Sequence, residues 1–351
     1  MTFYLSFFTL VLAFGFIGDV SRRSIGGANT SVLYNATLFC ISVVLIIIMA
    51  IRVEVGTDYL VYVEHARHMQ ELTFREAVFE YEFFFILFSE ISYSLFGSMQ
   101  FFYLIIGLVI VTPFALSIKY YDESQFYVFL FFFVTTVFFI SMNAMRQMAS
   151  FSIVFYALRY LRDRGRYFLF LVLFASLWHY SAIVYLSIYI LDRINLRRIY
   201  LPILVSFILF KSALNSLMIH FIEEAGLPGK FYFLVQEGAS SKLLIVISLV
   251  VFFLFNFFVK RDKNDANLFY NIALVNVGVS IFADGIPGAY RLVYIFFPFY
   301  CFISPFMIRN SRIKPRIVMT IVLLGTFSVY FYRQQILGNA NEILPYQTIF
   351  G

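Results

Sequence analysis

Apolar segments long enough to cross a membrane recur from one end of this chain to the other, with short polar intervals between them. A helix needs roughly 20 apolar residues to cross the hydrocarbon core of a bilayer. The pattern predicts membrane-spanning helices near residues 3–19, 32–51, 99–118, 125–142, 147–161, 201–220, 243–259, 268–284, 291–308 and 317–333. Two stretches are ambiguous. Residues 82–96 form a full span or a shorter helix, and residues 167–191 form one span or two short helices that bend at His179.

The chemistry of the bilayer decides the fold class. Lipid offers the backbone no hydrogen-bond partners, so a spanning chain forms helices or a closed barrel, and these apolar segments are too long and too uniform for barrel strands. The sequence therefore predicts an all-α integral membrane protein, a polytopic helical bundle of about 11 to 13 membrane segments. Residues 3–18 lack a basic leader and a small-residue cleavage site, which favours a retained helix over a signal peptide.

The polar intervals set the domain organisation. The longest are residues 52–80, residues 221–242 and the tail after residue 334, and each is too short to form a core of its own. We therefore expect one polytopic membrane domain over residues 1–351. A content of 62% hydrophobic and 13% charged residues also lies outside the range of soluble domains.

The net charge of +6 comes mainly from basic clusters in short loops. These clusters are Arg22 and Arg23; Arg162, Arg164 and Arg166; Arg193, Arg197 and Arg198; Lys260, Arg261 and Lys263; and Arg309, Arg312, Lys314 and Arg316. Such clusters favour the cytoplasmic side and meet anionic lipid headgroups. Membrane lipids are thus expected partners, and nucleic-acid binding is not needed to explain the charge.

Two membrane topologies fit these clusters. If all five are cytoplasmic, residues 82–96 fall short of a full span and residues 167–191 turn back on themselves, which places Asp58, Arg146 and His179 toward the outside. In the rival topology both segments are full spans, and Arg146 lies inside. Both topologies place residues 221–242 and the turn from Asp284 to Arg291 outside. The first is preferred because it keeps every basic cluster on the cytoplasmic side.

Two arginines stand out because topology does not explain them. Arg146 lies at the junction of two apolar segments, where desolvation costs several kcal/mol unless an anion or carbonyl groups compensate. A guanidinium suits phosphate oxygens better than an ammonium does. Arg291 follows a glycine- and proline-rich turn at the start of a span and is a second candidate for contact with an anion. The alternative for both is an interfacial arginine whose side chain reaches the headgroups.

His179 and Asp58 are the candidate groups for proton transfer. Histidine is the side chain best suited to proton exchange near neutral pH, although a single histidine among aromatic residues is also common as hydrogen-bonded packing. Asp58, after Gly56 and Thr57, is a candidate general base or ligand of a sugar hydroxyl, or else the cap of a helix at the membrane surface. A carboxylate at Glu82 in an apolar helix would need a partner.

Other site types are not indicated. The four histidines are not spaced with carboxylates or cysteines in a metal-ligand pattern, and neither nucleotide-binding glycine motif is present. The sequence therefore predicts chemistry without a metal ion and without a cofactor.

Four short motifs together resemble the EpsG/Wzy family of polysaccharide polymerases. They are Val55-Gly56-Thr57-Asp58-Tyr59 with Tyr62; Asn143 with Arg146-Gln147; His179-Tyr180-Ser181-Ala182; and Tyr290-Arg291 with Tyr294. Each motif is only two to five residues long. Their order and spacing agree along most of the chain, which makes the succession moderately specific.

The resemblance implies a GT-C-like glycosyltransferase of the bacterial inner membrane with its active site toward the periplasm. Its substrate would be an oligosaccharide repeat unit on undecaprenyl diphosphate, and its product an O-antigen or related glycan. A Wzz-type chain-length regulator is an implied partner. A flippase for the same lipid-linked sugar and a membrane acyltransferase that modifies the glycan are the alternative functions.

The residues can be assigned to this reaction. Arg146 and Arg291 would neutralise the leaving diphosphate, and His179 or Asp58 would remove the proton from the acceptor hydroxyl. Four tyrosines near the same face are candidates to stack on sugars, or else belong to an interfacial aromatic belt: Tyr59, Tyr62, Tyr290 and Tyr294.

Overall fold

The computed structural model describes residues 2–24, 28–224, 242–260, 265–284 and 290–350. The chain divides into two compact units, Met1–Leu186 with Phe331–Gly351, and Ser187–Tyr330. The first unit contains the helices α1 Thr2–Ser24, α2 Ala28–Ile51, α3 Tyr59–Met69, α4 Phe74–Glu80, α5 Phe83–Phe96, α6 Gln100–Tyr120, α7 Gln125–Val134, α8 Val137–Asn143, α9 Met145–Ala157 and α10 Gly165–Ser176. The prediction of one membrane domain over residues 1–351 stays a prediction.

The second unit is helical as well. Its helices are α11 Ser187–Leu191, α12 Tyr200–Glu224, α13 Lys242–Phe258, α14 Ala266–Ala283, α15 Tyr290–Phe296, α16 Tyr300–Asn310 and α17 Ile313–Phe331. Across the described residues, extended pairing is limited to two isolated bridges. The prediction of an all-α polytopic membrane protein is confirmed.

Seven helical stretches of the described residues are long and apolar enough to cross a membrane, and one of them, Arg291–Asn310, contains α15 and α16 together. An eighth crossing results if α7 and α8 form one bent span. Four shorter apolar helical segments accompany them, at Phe83–Phe96, Gly165–Ser176, Tyr180–Leu191 and Lys242–Phe258. Of the predicted spans, those at 147–161 and 243–259 are the shorter helices α9 of 13 residues and α13 of 17 residues. Length therefore separates two classes of helix that hydrophobicity alone does not.

The expected continuous span at 125–142 is broken. Helices α7 and α8 are bent by 63° at Thr135 and Thr136, and Thr136 has a positive φ of 64°. The Thr135 hydroxyl donates a hydrogen bond of 2.5 Å to the Phe131 carbonyl, a bond that competes with regular helix geometry. The break thus lies at the two threonines, a feature that the apolar pattern does not show.

Residues 167–191 adopt the broken alternative. Helix α10 ends at Ser176, the chain turns through Trp178 and His179, and a 3-10 helix continues from Tyr180 to Leu186. The buried Trp178 ring stacks on Phe88 with a centroid distance of 5.5 Å, which anchors the turn. His179 thus lies on a turn rather than in the middle of a span.

Helix α5 is too short to be a full span. Its 14 residues extend for about 21 Å, against roughly 30 Å of hydrocarbon. Gly97, with a φ of 62°, ends the helix in the left-handed conformation, and α6 begins three residues later. A short α5 and a turn at His179 are the two features that the preferred topology requires. The sidedness stays a prediction, and residues 225–241 and 285–289 of the expected outer loops lie outside the described residues.

Charged groups separate toward the two ends of the first unit. At one end Arg22 forms an ion pair with Asp122, and the Tyr120 hydroxyl donates to the Arg159 carbonyl. The other end holds the loop that begins at Arg52, where Gln100 at the start of α6 donates to the Arg52 carbonyl. The polar loop 52–58 therefore lies at the opposite end from Arg22 and Arg159.

The second unit places polar side chains between its own helices. Asn271 of α14 donates to the carbonyls of Leu191 and Ile194, at 2.7 and 2.8 Å, and so fixes the chain after α11. Lys211, within the candidate span of α12, pairs with Asp284 at 2.5 Å. A charge inside a membrane helix is thus met by a carboxylate from the same unit.

Gly18 allows α1 to approach α2 and α7 closely. A Cβ there would overlap Thr37 Oγ1 and the Gln125 amide oxygen, and these two groups hydrogen-bond to each other. We expect Gly18→Ala to lower the free energy of unfolding by about 1–3 kcal/mol, measured by thermal unfolding of the purified protein in detergent. The control is Gly325→Ala in α17, where nothing lies within 4 Å of the added atom. Equal stability of both variants would contradict the prediction.

Candidate active site

Glu82 connects the two residues that the sequence singled out most strongly. Its carboxylate accepts a hydrogen bond from Arg146 Nη1 to Oε2 at 2.5 Å, and its Oε1 lies 2.6 Å from His179 Nδ1. Glu82 occupies the N-cap position of α5, but its side chain makes no capping hydrogen bond there. The carboxylate therefore serves the contact between helices rather than the end of its own helix.

Breaks in three segments bring these side chains together. Glu82 precedes α5 with an extended backbone, and Arg146 is the second residue of α9, directly after the break at Ala144. His179 lies on the turn after α10, where its amide still donates to the Ala175 carbonyl. Each side chain thus projects from the end of a helix, where the backbone is free to turn toward a common point.

The three side chains differ in exposure. The Glu82 side chain is 6% exposed, whereas Arg146 and His179 are 20% and 31% exposed. The Glu82 carboxylate therefore lies deeper in the protein, and the Arg146 guanidinium and the His179 imidazole reach the surface. This order leaves the basic groups accessible to a ligand while the acid holds them.

Burial raises the pKa of Glu82, but the charge of Arg146 and the hydrogen bond from His179 outweigh it and lower the pKa to about 2. Glu82 is thus ionised at any physiological pH. An anionic carboxylate favours the tautomer in which His179 Nδ1 carries the proton and donates it to Glu82. His179 Nε2 then carries no proton and can accept one.

Aromatic rings form the wall of this cluster. The Arg146 guanidinium carbon lies 4.7 Å from the Phe85 ring centroid and 5.4 Å from that of Tyr62, within the range of cation–π attraction. Burial and the charge of Arg146 lower the pKa of His65, against the carboxylates of Glu64 and Asp58. Asp58, Arg146 and His65 therefore share one electrostatic environment.

The structure shows that Arg146 has an anionic partner within the protein, and its contact with a substrate diphosphate stays a prediction. The sequence predicted an anion at this arginine and assigned it to a substrate diphosphate; in the structure a carboxylate of the protein, Glu82, meets it. From the sequence, Glu82 is expected only to need a partner. Arg146 and His179 are brought together as expected, but through a residue that had no assigned role.

Asp58 is half-buried at the N-cap position of α3. It thus occupies the cap position that was one alternative from the sequence, although its side chain makes no capping hydrogen bond. Its backbone amide donates to Asn143 Oδ1 at 3.5 Å, which places it beside the junction that carries Arg146.

Two of the predicted sugar-binding tyrosines are buried. Tyr59 is 7% exposed, and its ring lies 5.1 Å from that of Tyr103, while Tyr62 is 3% exposed beneath Arg146. Because their faces are occupied by protein groups, stacking of these two rings on a sugar is not supported. Both rings instead stabilise arginines.

The remaining predicted residues belong to the second unit. Arg291 is exposed and Tyr294 half-buried near the start of α15. The side chain of Tyr290 lies outside the described residues. A joint action of Arg291 with Arg146 stays a prediction.

Arg52 is a site residue that sequence reasoning missed. It is fully buried, and its guanidinium donates to the Val55 carbonyl at 2.6 Å and to Met145 Sδ at 3.0 Å. Its charge lies 5.0 Å from the Tyr103 ring and 5.7 Å from that of Tyr59. The available signal was its position in a polar loop between two spans, directly before the Gly56-Thr57-Asp58 motif.

Comparison with known families identifies the chain. The model of the EpsG family matches residues 35–348, nearly the whole sequence. The chain belongs to the EpsG family. This confirms the family resemblance, and the EpsG family is associated with Wzy-type polymerases. No curated protein and no solved structure matches the chain.

Family membership changes how the cluster is interpreted. An EpsG-family protein is a membrane protein of the polysaccharide polymerase type. In the described part of this EpsG-family chain, no group of three or more histidine, cysteine, aspartate or glutamate side chains is arranged to hold a metal ion. The Glu82, Arg146 and His179 cluster is the candidate site for its chemistry, because one buried carboxylate contacts both a guanidinium and an imidazole.

Removal of the Glu82 charge should destabilise the first unit. Glu82→Gln leaves the half-buried Arg146 guanidinium without its counter-ion, and we expect a loss of about 1–3 kcal/mol in the free energy of unfolding. Glu90→Gln is the matched control, because Glu90 is exposed on the same helix. Thermal unfolding of both variants in one detergent measures the effect, and equal melting temperatures would contradict it.

The contribution of Glu82 should also depend on pH. Its pKa is lowered from 4.5 to about 2 in the folded protein, so its stabilisation is complete above pH 4.5 and is lost as the pH falls toward 2. The stability difference between the native protein and Glu82→Gln should therefore shrink across this interval. Unfolding curves between about pH 6 and pH 2.5 measure it. A constant difference would show that the carboxylate is not the stabilising group.

Proposed function

We propose that this EpsG-family protein is a polymerase that joins oligosaccharide repeat units carried on undecaprenyl diphosphate, on the periplasmic side of the bacterial inner membrane. The observation that carries the proposal is the buried Glu82 carboxylate, which holds an imidazole and a guanidinium side by side at the surface. A glycosyl transfer from a lipid diphosphate needs one group that accepts a proton and one that meets a developing negative charge. His179 and Arg146 supply this pair.

In the proposed reaction a hydroxyl of the acceptor sugar attacks the anomeric carbon of the donor sugar. The new glycosidic C–O bond forms as the C–O bond to the diphosphate breaks, and undecaprenyl diphosphate leaves with the bonding electron pair. The acceptor proton passes to His179 Nε2. Glu82 accepts the Nδ1–H hydrogen bond and stabilises the imidazolium that results. No nucleotide sugar and no cofactor takes part.

Arg146 has a narrower role than the sequence suggested. One of its N–H groups is committed to Glu82, and the guanidinium also contacts Tyr62. Its remaining N–H groups are proposed to meet diphosphate oxygens. The Arg146 charge is largely balanced by Glu82. The sequence motif Tyr290-Arg291 with Tyr294 is proposed as a further contact for the lipid-linked substrate, in which Arg291 meets diphosphate oxygens and the two tyrosines meet sugars.

Asp58 is proposed to bind the acceptor sugar through a hydroxyl group. Asp58 shares the electrostatic environment of Arg146. His179 is preferred as the general base because the Glu82 carboxylate orients its imidazole and stabilises its protonated form. A single displacement of this kind inverts the anomeric centre. A product linkage with the donor's configuration would count against it.

Loss of the base should stop polymerisation without stopping export. Cells that lack this chain, complemented with His179→Ala, should display glycan of core plus a single repeat, because removal of a general base slows such a step by about 10²- to 10⁴-fold. His68→Ala is the matched control, since His68 is a half-exposed histidine of the same unit. Banding of surface glycan on a gel measures the outcome.

The other outcomes separate the classes of function. A complete absence of repeats in cells without the chain would indicate a flippase, and an intact ladder in those cells would indicate an acyltransferase or a role outside glycan assembly. A full ladder with His179→Ala alone would reject His179 as the base and leave polymerisation in place.

A further inference from the structure

The C-terminal segment 339–350 lies along the loop 52–58 of the first unit. Val53 donates its amide hydrogen to the Gln347 carbonyl at 3.1 Å, Gly56 donates to the Glu342 carbonyl at 3.0 Å, and Thr57 donates to the Asn341 carbonyl at 3.3 Å. Nearly 300 residues separate these partners in the sequence. The loop that presents Asp58 is thus held by the end of the chain.

The Asn143 side chain connects the loop 52–58 to the C-terminal segment. Its amide oxygen accepts from the Asp58 backbone amide at 3.5 Å, and its Nδ2 donates to Asn341 Oδ1 at 2.9 Å. Asn143 is 5% exposed, whereas Asp58 and Asn341 are half-buried. The Asn143 side chain therefore contacts both the loop 52–58 and the C-terminal segment.

Gly56 is required for this arrangement. Its φ of +107° is a conformation that other residues rarely adopt. A Cβ there would overlap the Asn143 amide oxygen and would lie 2.9 Å from Arg52 Nη1. The glycine therefore lets the loop close over both side chains.

The segment is itself firmly held. The Tyr346 hydroxyl donates to the Ile48 carbonyl at 2.7 Å, and the Tyr4 hydroxyl donates to the Ile343 carbonyl at 3.3 Å. Asn339 Oδ1 accepts from the amides of Ile343 and Leu344, which fixes the turn before them. The C-terminal segment thus has the anchors that it needs to hold the loop in turn.

We propose that Asn143 and Asn341 are positioning residues of the polymerisation reaction. Together with the rest of the C-terminal segment 339–350, they hold the loop 52–58 at a fixed distance from Arg146. Arg146 follows Asn143 by three residues. This inference rests on the proposed function, since it assigns the geometry of the acceptor contact at Asp58. The C-terminal segment then belongs to the active site, although it contributes no reacting group.

Hydrogen–deuterium exchange tests the contact independently of activity. In the purified protein, Asn341→Ala should raise the exchange rate of the backbone amides in residues 53–58. The 2.9 Å bond from Asn143 Nδ2 to the Asn341 side chain is lost, and only the longer 3.3 Å bond to the Asn341 carbonyl remains. Gln347→Ala is the matched control in the same segment, since its exposed side chain is removed while its backbone carbonyl still accepts from Val53. Unchanged exchange in Asn341→Ala would overturn the contact.

Turnover of lipid-linked repeats in membrane vesicles tests the role in the reaction. We expect Asn341→Ala to lower kcat by about 10- to 100-fold, since small misplacements of a substrate-positioning group have effects of this size. Asn341→Asp keeps the acceptor atom for Asn143 Nδ2 and should restore kcat to within about threefold. The double variant Asn143→Asp with Asn341→Asp opposes two carboxylates and should be at least as slow as Asn341→Ala.

These results separate the two proposals. A native kcat in Asn341→Ala, with His179→Ala inactive, would overturn the positioning role and leave the polymerase standing. Failure of Asn341→Asp to restore kcat would also overturn it. If the native chain forms no polymer, the proposed function fails, and the positioning role fails with it even where the exchange data confirm the contact.

Discussion

A carboxylate that moves from water into a protein interior loses several kcal/mol of hydration free energy, and it stays charged there when cations and hydrogen-bond donors replace the water. Glu82 meets this condition through Arg146 and His179, each bound to one carboxylate oxygen. Because these partners are 64 and 97 residues away, their contacts also fix where three helical segments end or begin. The breaks before α5, before α9 and after α10 are parts of one arrangement.

Arg146 and Arg52, the two arginines near this site, are stabilised in different ways. Arg146 has a full counter-charge and remains partly exposed, which suits a group that meets substrate. Arg52 is fully enclosed and relies on a carbonyl, a thioether sulfur and two aromatic rings. Among the described residues no carboxylate lies within 4 Å of Arg52. Its charge therefore holds the loop above it, and the neighbouring Asn143 connects that loop to the C-terminal segment.

Particular elements show how far the sequence could be used. The long apolar helices were predictable because a bilayer leaves a spanning chain few options other than a helix. Arg146 and His179 were predictable as site residues because polar groups are costly in an apolar chain. The bend at Thr135 and Thr136 was not, since two hydroxyl groups barely change a hydrophobic average. Tyr59 and Tyr62 were expected to face a ligand, but a sequence does not show which side of a ring the protein itself occupies.

The sequence by itself determined the membrane environment, the helical class and the family, because these depend on composition and on short motifs in order along the chain. Only the tertiary structure decided that Glu82 is the partner of both Arg146 and His179, and that Asn341 reaches Asn143 across 198 residues. The physical reason is that hydrophobic periodicity reports which residues avoid water, whereas a hydrogen bond or ion pair depends on distances of about 3 Å between groups that local pattern does not relate.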